Sequence, residues 1–278
     1  MQNPLITVSQ LVNLQREEDV AVLDVRFGGP GSSDGQAQYL GGHIPGAVSV
    51  DMDTVLASPG AHTGGRHPLP DPAAFEAAMR AAGVSNDRPV VIYDNWRSIA
   101  AARAWWLLQH HGHGGASVLD GGLGAWLSAG LPLEQGNVSP APGDFRLGNN
   151  PSSVALDADG AAAIAATGVL LDARPGDRFR GVGETVDPVA GHIPGACSLP
   201  AFELADELGF LLPADELRER FEAVGAGERR VGVYCGSGIQ AAHVALAAVV
   251  AGLPLPALYP GSWSDWITDP TRPIATGA

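Results

Sequence analysis

Two strings of residues occur twice in this chain, and the repetition constrains its fold more than any other feature. Leu-Asp-Val-Arg at 23–26 returns as Leu-Asp-Ala-Arg at 171–174, and Gly-His-Ile-Pro-Gly-Ala at 42–47 returns unchanged at 191–196. The separation between the copies is nearly the same for both strings. Because chance does not repeat such strings in one order and at one spacing, we interpret the chain as a tandem duplication with two domains of the same fold.

Short apolar runs alternate with longer helical patterns in each copy. In the first copy we predict strands over 20–25, 90–93 and 117–119, and helices over 71–82 and 98–111. Buried strands that alternate with helices are typical of a parallel sheet covered by helices. The sequence therefore predicts an α/β fold in each copy.

A stretch rich in proline and glycine separates the two copies. It has no sustained apolar period, so we predict a linker over 132–153. The first domain is then expected over 1–131 and the second over 154–278. With 278 residues, the chain is long enough for two domains of ordinary size.

Composition excludes several classes of function. The net charge of −14 disfavours binding to nucleic acid or to anionic membranes. The N-terminal residues lack a secretion signal and no apolar run reaches the length of a membrane span, so we expect a cytoplasmic protein. Cys197 and Cys235 form neither a disulfide framework nor a zinc motif. We expect no metal, and partners that are small molecules or proteins.

Cys235 is the strongest candidate for a reactive side chain. An apolar strand at 231–234 runs into Gly-Ser-Gly and then into a helical pattern at 239–250. The first-turn N–H groups of a helix lower the pKa of a thiol from about 8.5, which favours a nucleophile; the alternative is a small buried apolar residue. Asp94 occupies the matching place in the first copy, where it could cap a helix. Only the second copy is then expected to be catalytic.

The motifs together resemble the tandem-domain rhodanese-like sulfurtransferases over nearly the whole chain. The strings that carry the resemblance are Leu-Asp-Ala-Arg at 171–174, Arg-Phe-Arg-Gly at 178–181, Gly-His-Ile-Pro-Gly at 191–195, Cys-Gly-Ser-Gly-Ile-Gln-Ala at 235–241 and Gly-Ser-Trp-Ser-Asp-Trp at 261–266. The resemblance implies an inactive N-terminal rhodanese-like domain and a catalytic C-terminal one. It also implies that Cys235 takes a sulfane sulfur from a small donor, holds it as a persulfide and passes it to cyanide, a thiol or a thioredoxin-like reductant, with no cofactor.

The loop after the candidate nucleophile suits a persulfide anion, which needs several backbone N–H donors at close range. Gly236 and Gly238 allow the loop to curl so that amides up to Ile239 point inward. Ser237 and Gln240 are expected to add side-chain donors. The alternatives are a hydroxyl that stabilises the loop and an ordinary first-turn helix residue.

The neutral Cys-Gly-Ser-Gly loop resembles the 3-mercaptopyruvate branch of the family more than the thiosulfate branch, whose loop commonly carries basic residues. In the mercaptopyruvate branch, the match to the Arg-Phe string implies that Arg178 binds the donor carboxylate; the alternative is a surface salt bridge. The usual second arginine is missing, because residues 183–190 contain none, and Gln240 replaces a threonine. Thiosulfate therefore stays open as the donor.

Several polar residues have a predicted place around this site. Asp53 and His67 match positions that assist proton transfer with the loop serine in the mercaptopyruvate branch, although His67 beside prolines could equally be an exposed loop residue. His43 and His192 occur in both copies and are predicted to be structural. Arg174 is predicted to hold loops together by pairing with a carboxylate.

Two rival functions follow from the same residues. The protein could use the persulfide only as a relay or interaction module without turnover. A cysteine phosphatase is disfavoured, because such enzymes usually require an arginine six residues after the cysteine, where this chain has Ala241. We therefore predict a sulfurtransferase, and a monomer, since the duplication supplies each domain with a partner.

Overall fold

The structure is a computed structural model that describes residues 3–17, 20–28, 34–58, 64–148, 153–227 and 229–278. The chain divides into two compact units. The first comprises Met1–Ser58, Pro70–Ser152 and Ala205–Leu211, and the second comprises Pro59–Leu69, Ser153–Leu204 and Leu212–Ala278. Each unit thus takes in a short segment from the other half of the chain, a feature that the predicted boundaries at 131 and 154 do not include.

The described part of the first unit is built on a parallel sheet of five strands. They are β1 (Leu5–Ile6), β2 (Ala21–Asp24), β3 (Val48–Ser49), β4 (Val90–Tyr93) and β5 (Ala116–Leu119), in the spatial order β1-β5-β4-β2-β3. β2 and β4 are buried at every position, because a central parallel strand is covered on both faces.

The described residues of this unit also form five helices. They are α1 (Val8–Arg16), α2 (Asp34–Gly41), α3 (Pro72–Ala81), α4 (Ile99–His110) and α5 (Gly122–Ser128). The carboxylate of Asp71 accepts a hydrogen bond from the amide of Ala74 and so caps α3. The first residue of this helix is a proline, which suits the position because an amide there would have no partner within the helix. α4 is rich in alanine and buried along almost its whole length, so it packs closely on the sheet.

The described part of the second unit repeats this plan with four parallel strands. They are β6 (Val169–Asp172), β7 (Ala196–Ser198), β8 (Val231–Tyr234) and β9 (Ala257–Leu258), in the order β7-β6-β8-β9. The helices are α6 (Ala158–Thr167), α7 (Gly176–Arg180), α8 (Ala214–Ala223), α9 (Ile239–Val250) and α10 (Ser262–Trp266), with a 3-10 turn at Ala201–Leu204. The predicted pair of parallel α/β folds is confirmed. Across the described ranges, no helix has the length and apolar character needed to cross a membrane.

The repeated strings occupy equivalent places in the two units. In the second unit Asp172 ends β6 and pairs with Arg174, with 2.7 Å between Nη2 and Oδ2, and the same Nη2 donates to the carbonyl of Gly191 at 2.7 Å. Asp24 and Arg26 form the same pair at the end of β2. The predicted pairing of Arg174 with a carboxylate is therefore confirmed.

His43 and His192 are structural in both units, as predicted. Nδ1 of His43 lies 2.9 Å from the carbonyl oxygen of Tyr39, and the two rings stack with their centroids 4.1 Å apart. Nδ1 of His192 lies 2.7 Å from the carbonyl oxygen of Phe179, and these rings stack at 3.7 Å. Each buried imidazole thus ties the preceding helix to the turn that the repeated string forms.

Candidate functional site

Cys235 lies between the end of β8 and the start of α9, in the second unit. Its Sγ accepts the backbone N–H groups of Gly238 at 3.0 Å and of Ser237 at 3.4 Å. Gly238 precedes α9 with a φ of 84°, a left-handed conformation that glycine adopts without a Cβ clash. The curl of the loop therefore directs main-chain N–H groups at the sulfur of Cys235, a residue that is only 2% exposed.

The start of α10 holds this loop in place. The amides of Trp263 and Ser264 donate to the carbonyl oxygens of Cys235 and Gly236, both at 2.9 Å. The hydroxyl oxygen of Ser262 accepts the amide of Cys235 at 3.1 Å. Because one short helix makes hydrogen bonds to successive main-chain groups of the loop, the loop holds the sulfur in a fixed position.

Asp94 occupies the corresponding place in the first unit, and its carboxylate fills the loop there. Oδ1 accepts the amides of Trp96 at 2.8 Å and Ser98 at 2.9 Å, and Oδ2 accepts the amide of Ala101 in α4 at 2.9 Å. Burial raises the pKa of Asp94, and the backbone N–H groups oppose that shift. The carboxyl group of Asp94 thus fills the loop of the first unit and accepts amides at the start of α4, as predicted for a helix cap, although the N-cap position itself is Ser98.

The structure brings His67 to the loop serine. Nδ1 of His67 lies 2.8 Å from Oγ of Ser237, and both residues are buried. The alternative that His67 is an exposed loop residue is therefore wrong. A hydroxyl that is hydrogen-bonded to an imidazole can pass a proton in either direction, so the two side chains can act as a proton relay, with Ser237 two residues after Cys235.

The structure gives the positions of Asp53, Ile239 and Gln240, but their functional roles stay predictions. Asp53 belongs to the first unit, where it is exposed, and its amide donates to Oδ1 of Asp51 at 3.1 Å. Ile239 and Gln240 form the first turn of α9, with Ile239 buried and Gln240 half-buried.

Arg178, the predicted carboxylate anchor, is held by two carboxylates of its own unit. Its Nε donates to Glu184 at 2.9 Å and its Nη2 to Asp187 at 2.7 Å. Burial would raise the pKa of Glu184, but hydrogen bonds from Arg178 and from the amides of Val186 and Asp187 outweigh burial and lower it. Glu184 therefore stays ionised at neutral pH, and the guanidinium keeps 16% of its side-chain surface exposed for a further ligand.

Arg66 is a further member of the site, and no sequence motif had identified it. It directly precedes His67 and pairs with Asp187, the carboxylate that also holds Arg178. Its place beside His67 in the sequence was the one available signal, because the segment that carries both residues is distant in the chain from the cysteine loop. Within the described ranges, no group of three or more His, Cys, Asp or Glu side chains lies where it could hold a metal ion.

The arrangement has three chemical capacities. Backbone N–H groups stabilise negative charge on the sulfur of Cys235. His67 and Ser237 can move a proton. Arg178 presents a positive charge that can bind a small anion.

A family model described as the rhodanese-like domain matches this chain twice. The matches cover residues 7–129 and residues 157–269. Each match contains the strands and helices that carry the repeated strings, and together the matches span most of the chain.

Several proteins are similar to the chain over nearly its full length. A Pseudomonas aeruginosa protein named as a probable 3-mercaptopyruvate sulfurtransferase is 47% identical over 281 residues, which cover 98% of each chain. A Mycobacterium tuberculosis protein provisionally named thiosulfate sulfurtransferase SseB is 43% identical over 98% of this chain and 97% of its own. The crystal structure of SseA from Escherichia coli, described as a 3-mercaptopyruvate sulfotransferase with the rhodanese fold, matches with a TM-score of 0.84 and 34% identity, over 95% of this chain and 100% of that one.

Proposed function

We propose that this chain, which belongs to the rhodanese-like domain family, is a sulfurtransferase that carries a sulfane sulfur on Cys235. The donor is a small anion, with 3-mercaptopyruvate favoured, and the acceptor is cyanide or a thiol. The observation that carries the proposal is the buried Sγ of Cys235, which accepts two backbone N–H groups at the start of α9. The names of the similar proteins from Pseudomonas aeruginosa and Escherichia coli support this donor.

In the first half-reaction the Cys235 thiolate attacks the sulfur of 3-mercaptopyruvate. A sulfur–sulfur bond forms while the C3–S bond of the donor breaks, and the electron pair of that bond moves to C3 to give the enolate of pyruvate. The thiol proton of the donor ends on C3, so pyruvate leaves and a persulfide anion stays on Cys235. The amides of Ser237 and Gly238 stabilise this anion.

In the second half-reaction the acceptor removes the outer sulfur. The carbon lone pair of cyanide attacks this sulfur, the sulfur–sulfur bond breaks, and its electron pair returns to Cys235 as the thiolate while thiocyanate leaves. A thiolate acceptor, including that of a thioredoxin-like reductant, takes the sulfur in the same way and leaves as a persulfide. No cofactor takes part in either step of this scheme.

The proposal makes the second unit the catalytic one. In the first unit the carboxylate of Asp94 accepts the amides that would otherwise face an incoming anion, and an aspartate cannot form a persulfide. A monomeric chain and a cytoplasmic location are predictions that belong to the same proposal.

We assign the proton transfer of the first half-reaction to Ser237 and His67. Ser237→Ala and His67→Asn are each expected to lower kcat with 3-mercaptopyruvate by about 10²-fold, the usual contribution of a positioned proton donor. The same variants should keep most of their activity with thiosulfate, because its outer sulfur carries no proton to be moved. Steady-state rates with both donors measure the difference, and Asp53→Asn belongs in the same series as the test of Asp53.

An equal loss of rate with both donors would contradict this assignment. It would mean that the two side chains hold the loop in shape and do not move a proton. A normal rate with mercaptopyruvate in the Asp53 variant would remove Asp53 from the relay.

Comparison of the two donors tests the proposed function directly. We expect kcat/KM for sulfur transfer to cyanide to be at least about tenfold higher with 3-mercaptopyruvate than with thiosulfate. The second candidate function is a thiosulfate sulfurtransferase, which the name of the 43% identical Mycobacterium tuberculosis protein favours. A preference for thiosulfate would establish that candidate. A persulfide on Cys235 that no acceptor removes would favour a relay without turnover.

A further inference from the structure

We propose that Arg66 is a second donor-binding side chain, which together with Arg178 holds the carboxylate of the sulfur donor beside Gly236. The inference rests on the proposed function, because it names the group that recognises the anionic donor. It concerns residues of the second unit only.

The two arginines share one carboxylate. Nη1 of Arg66 pairs with Oδ1 of Asp187, and Nη2 of Arg178 lies 2.7 Å from Oδ2 of the same residue. Asp187 is almost fully buried, with 1% of its side chain exposed, so it serves as a fixed bridge between the two guanidinium groups. The bridge places two positive groups side by side, which is the arrangement that binds a carboxylate with two or more charge-assisted hydrogen bonds.

Both arginines face the residue that follows the nucleophile. A Cβ atom added to Gly236 would lie 2.9 Å from Nη2 of Arg66, and 3.8 and 3.9 Å from Nη1 and Nη2 of Arg178. Nη2 of Arg66 is thus the group that occupies the space where a side chain at position 236 would begin. An anion bound between the guanidinium groups would lie next to the loop that holds Cys235.

The main chain around Arg66 is tied to the helix that also holds the cysteine loop. The amide of Gly64 donates to Oδ1 of Asp265 at 3.2 Å, and the amide of Arg66 donates to Oγ of Ser264 at 3.0 Å. Gly65 approaches so closely that an added Cβ would lie 2.3 Å from the carbonyl oxygen of Gly261. Since α10 binds both segments, Arg66 has a defined position relative to Cys235.

Exposure separates the two proposed ligands from a third arginine nearby. Arg174 is fully buried and pairs with Asp172, whereas 31% of the Arg66 side chain and 16% of the Arg178 side chain are exposed. A guanidinium has five N–H donors, so each of the two accessible arginines can keep its bond to Asp187 and still bind a ligand. The site therefore fits a small carboxylate that approaches from solvent.

A second arginine for the donor carboxylate is missing at its expected place in the sequence, and Arg66 can supply it. Residues 183–190 contain no arginine, although the resemblance to the mercaptopyruvate branch leads one to expect a second anchor there. The same stretch supplies Glu184 and Asp187, the carboxylates that hold Arg178 and Arg66. The second guanidinium thus comes from a different segment of the chain.

Kinetics of Arg66→Ala with two donors test the inference. The first donor is 3-mercaptopyruvate, and the second is mercaptoacetone, which keeps the thiol and the ketone but has a methyl group in place of the carboxylate. We expect KM for 3-mercaptopyruvate to rise roughly 10- to 100-fold, the range for loss of one charge-assisted contact, with little change for mercaptoacetone. Arg66→Lys should restore part of the affinity, because it restores the charge but not the planar fork.

A matched control and a binding measurement complete the experiment. Arg220 lies on the exposed side of α8 and pairs with Glu216 at 3.2 Å, so Arg220→Ala should leave both donors unaffected. Calorimetry with 3-mercaptopropionate, which has the carboxylate but no ketone, should give a Kd that is weaker for Arg66→Ala by a similar factor.

Two outcomes would overturn the inference. One is an unchanged KM for 3-mercaptopyruvate together with an unchanged Kd for 3-mercaptopropionate; the other is an equal loss with both donors, which a merely structural role would produce. If the wild-type protein forms no persulfide on Cys235, the proposed function fails, and the calorimetric comparison still decides whether Arg66 binds the carboxylate.

Discussion

Replacing Cys235 with serine is expected to abolish sulfur transfer and to leave the fold intact. The hydroxyl occupies nearly the same space as the thiol and can accept the amides of Ser237 and Gly238, so the loop keeps its partners. It cannot form a persulfide, and removal of a nucleophile costs a factor of at least about 10³ in rate. Thiocyanate formation from 3-mercaptopyruvate and cyanide measures the loss.

Cys197 provides the matched control for this substitution. It lies in β7 and is half-buried, so Cys197→Ser should keep its activity. After reaction with the donor alone, intact mass should increase by one sulfur atom in the wild type and in Cys197→Ser, but not in Cys235→Ser. Sulfur on the protein in the Cys235 variant, or transfer at the wild-type rate, would show that another group carries it.

Replacing Arg174 with methionine is expected to lower the free energy of unfolding of the second unit by about 3–5 kcal/mol. Arg174 and Asp172 are both fully buried, and the guanidinium lies 4.8 Å from the ring centre of Trp263. Without Arg174 the Asp172 carboxylate stays in the core with its main partner lost, and the carbonyl of Gly191 loses a donor. Urea unfolding followed by tryptophan fluorescence measures the change.

Two further variants serve as controls for the stability loss expected of Arg174→Met. Arg220→Met removes an exposed ion pair on α8, which is worth about 0.5 kcal/mol or less. The double variant Arg174→Met with Asp172→Leu should recover part of the loss, because it removes both charges from the core. The prediction is wrong if Arg174→Met is no less stable than Arg220→Met.

Local patterns were sufficient to predict the main strands and the longest helix of the first unit. The strand predicted over 20–25 is found at Ala21–Asp24, the strand predicted over 90–93 at Val90–Tyr93, and the helix predicted over 98–111 at Ile99–His110. Apolar periodicity and glycine positions act over a few neighbouring residues, so they can be read without a partner segment. The repeated strings added the one long-range fact available, that two copies of this pattern exist.

Apolar periodicity and glycine positions did not predict that each unit includes a short segment from the other half of the chain. Residues 64–69 belong to the second compact unit, although they lie between elements of the first. Their place depends on close main-chain contacts, such as that of Gly65 with Gly261, and on hydrogen bonds to α10. Nothing in the composition of these residues distinguishes such a segment from an ordinary surface loop.

The chain alone was enough to identify Cys235, its loop and Arg178 as candidates, because each belongs to a short string with its own chemistry. The family resemblance suggested that His67 works with the loop serine, but only the tertiary structure showed the contact of His67 with Ser237 and that of Arg66 with Asp187, across separations of 170 and 121 residues. The physical reason is that a contact at such a distance depends on how whole elements pack and on which buried polar groups need partners. Neither quantity is encoded in the residues next to the ones that meet.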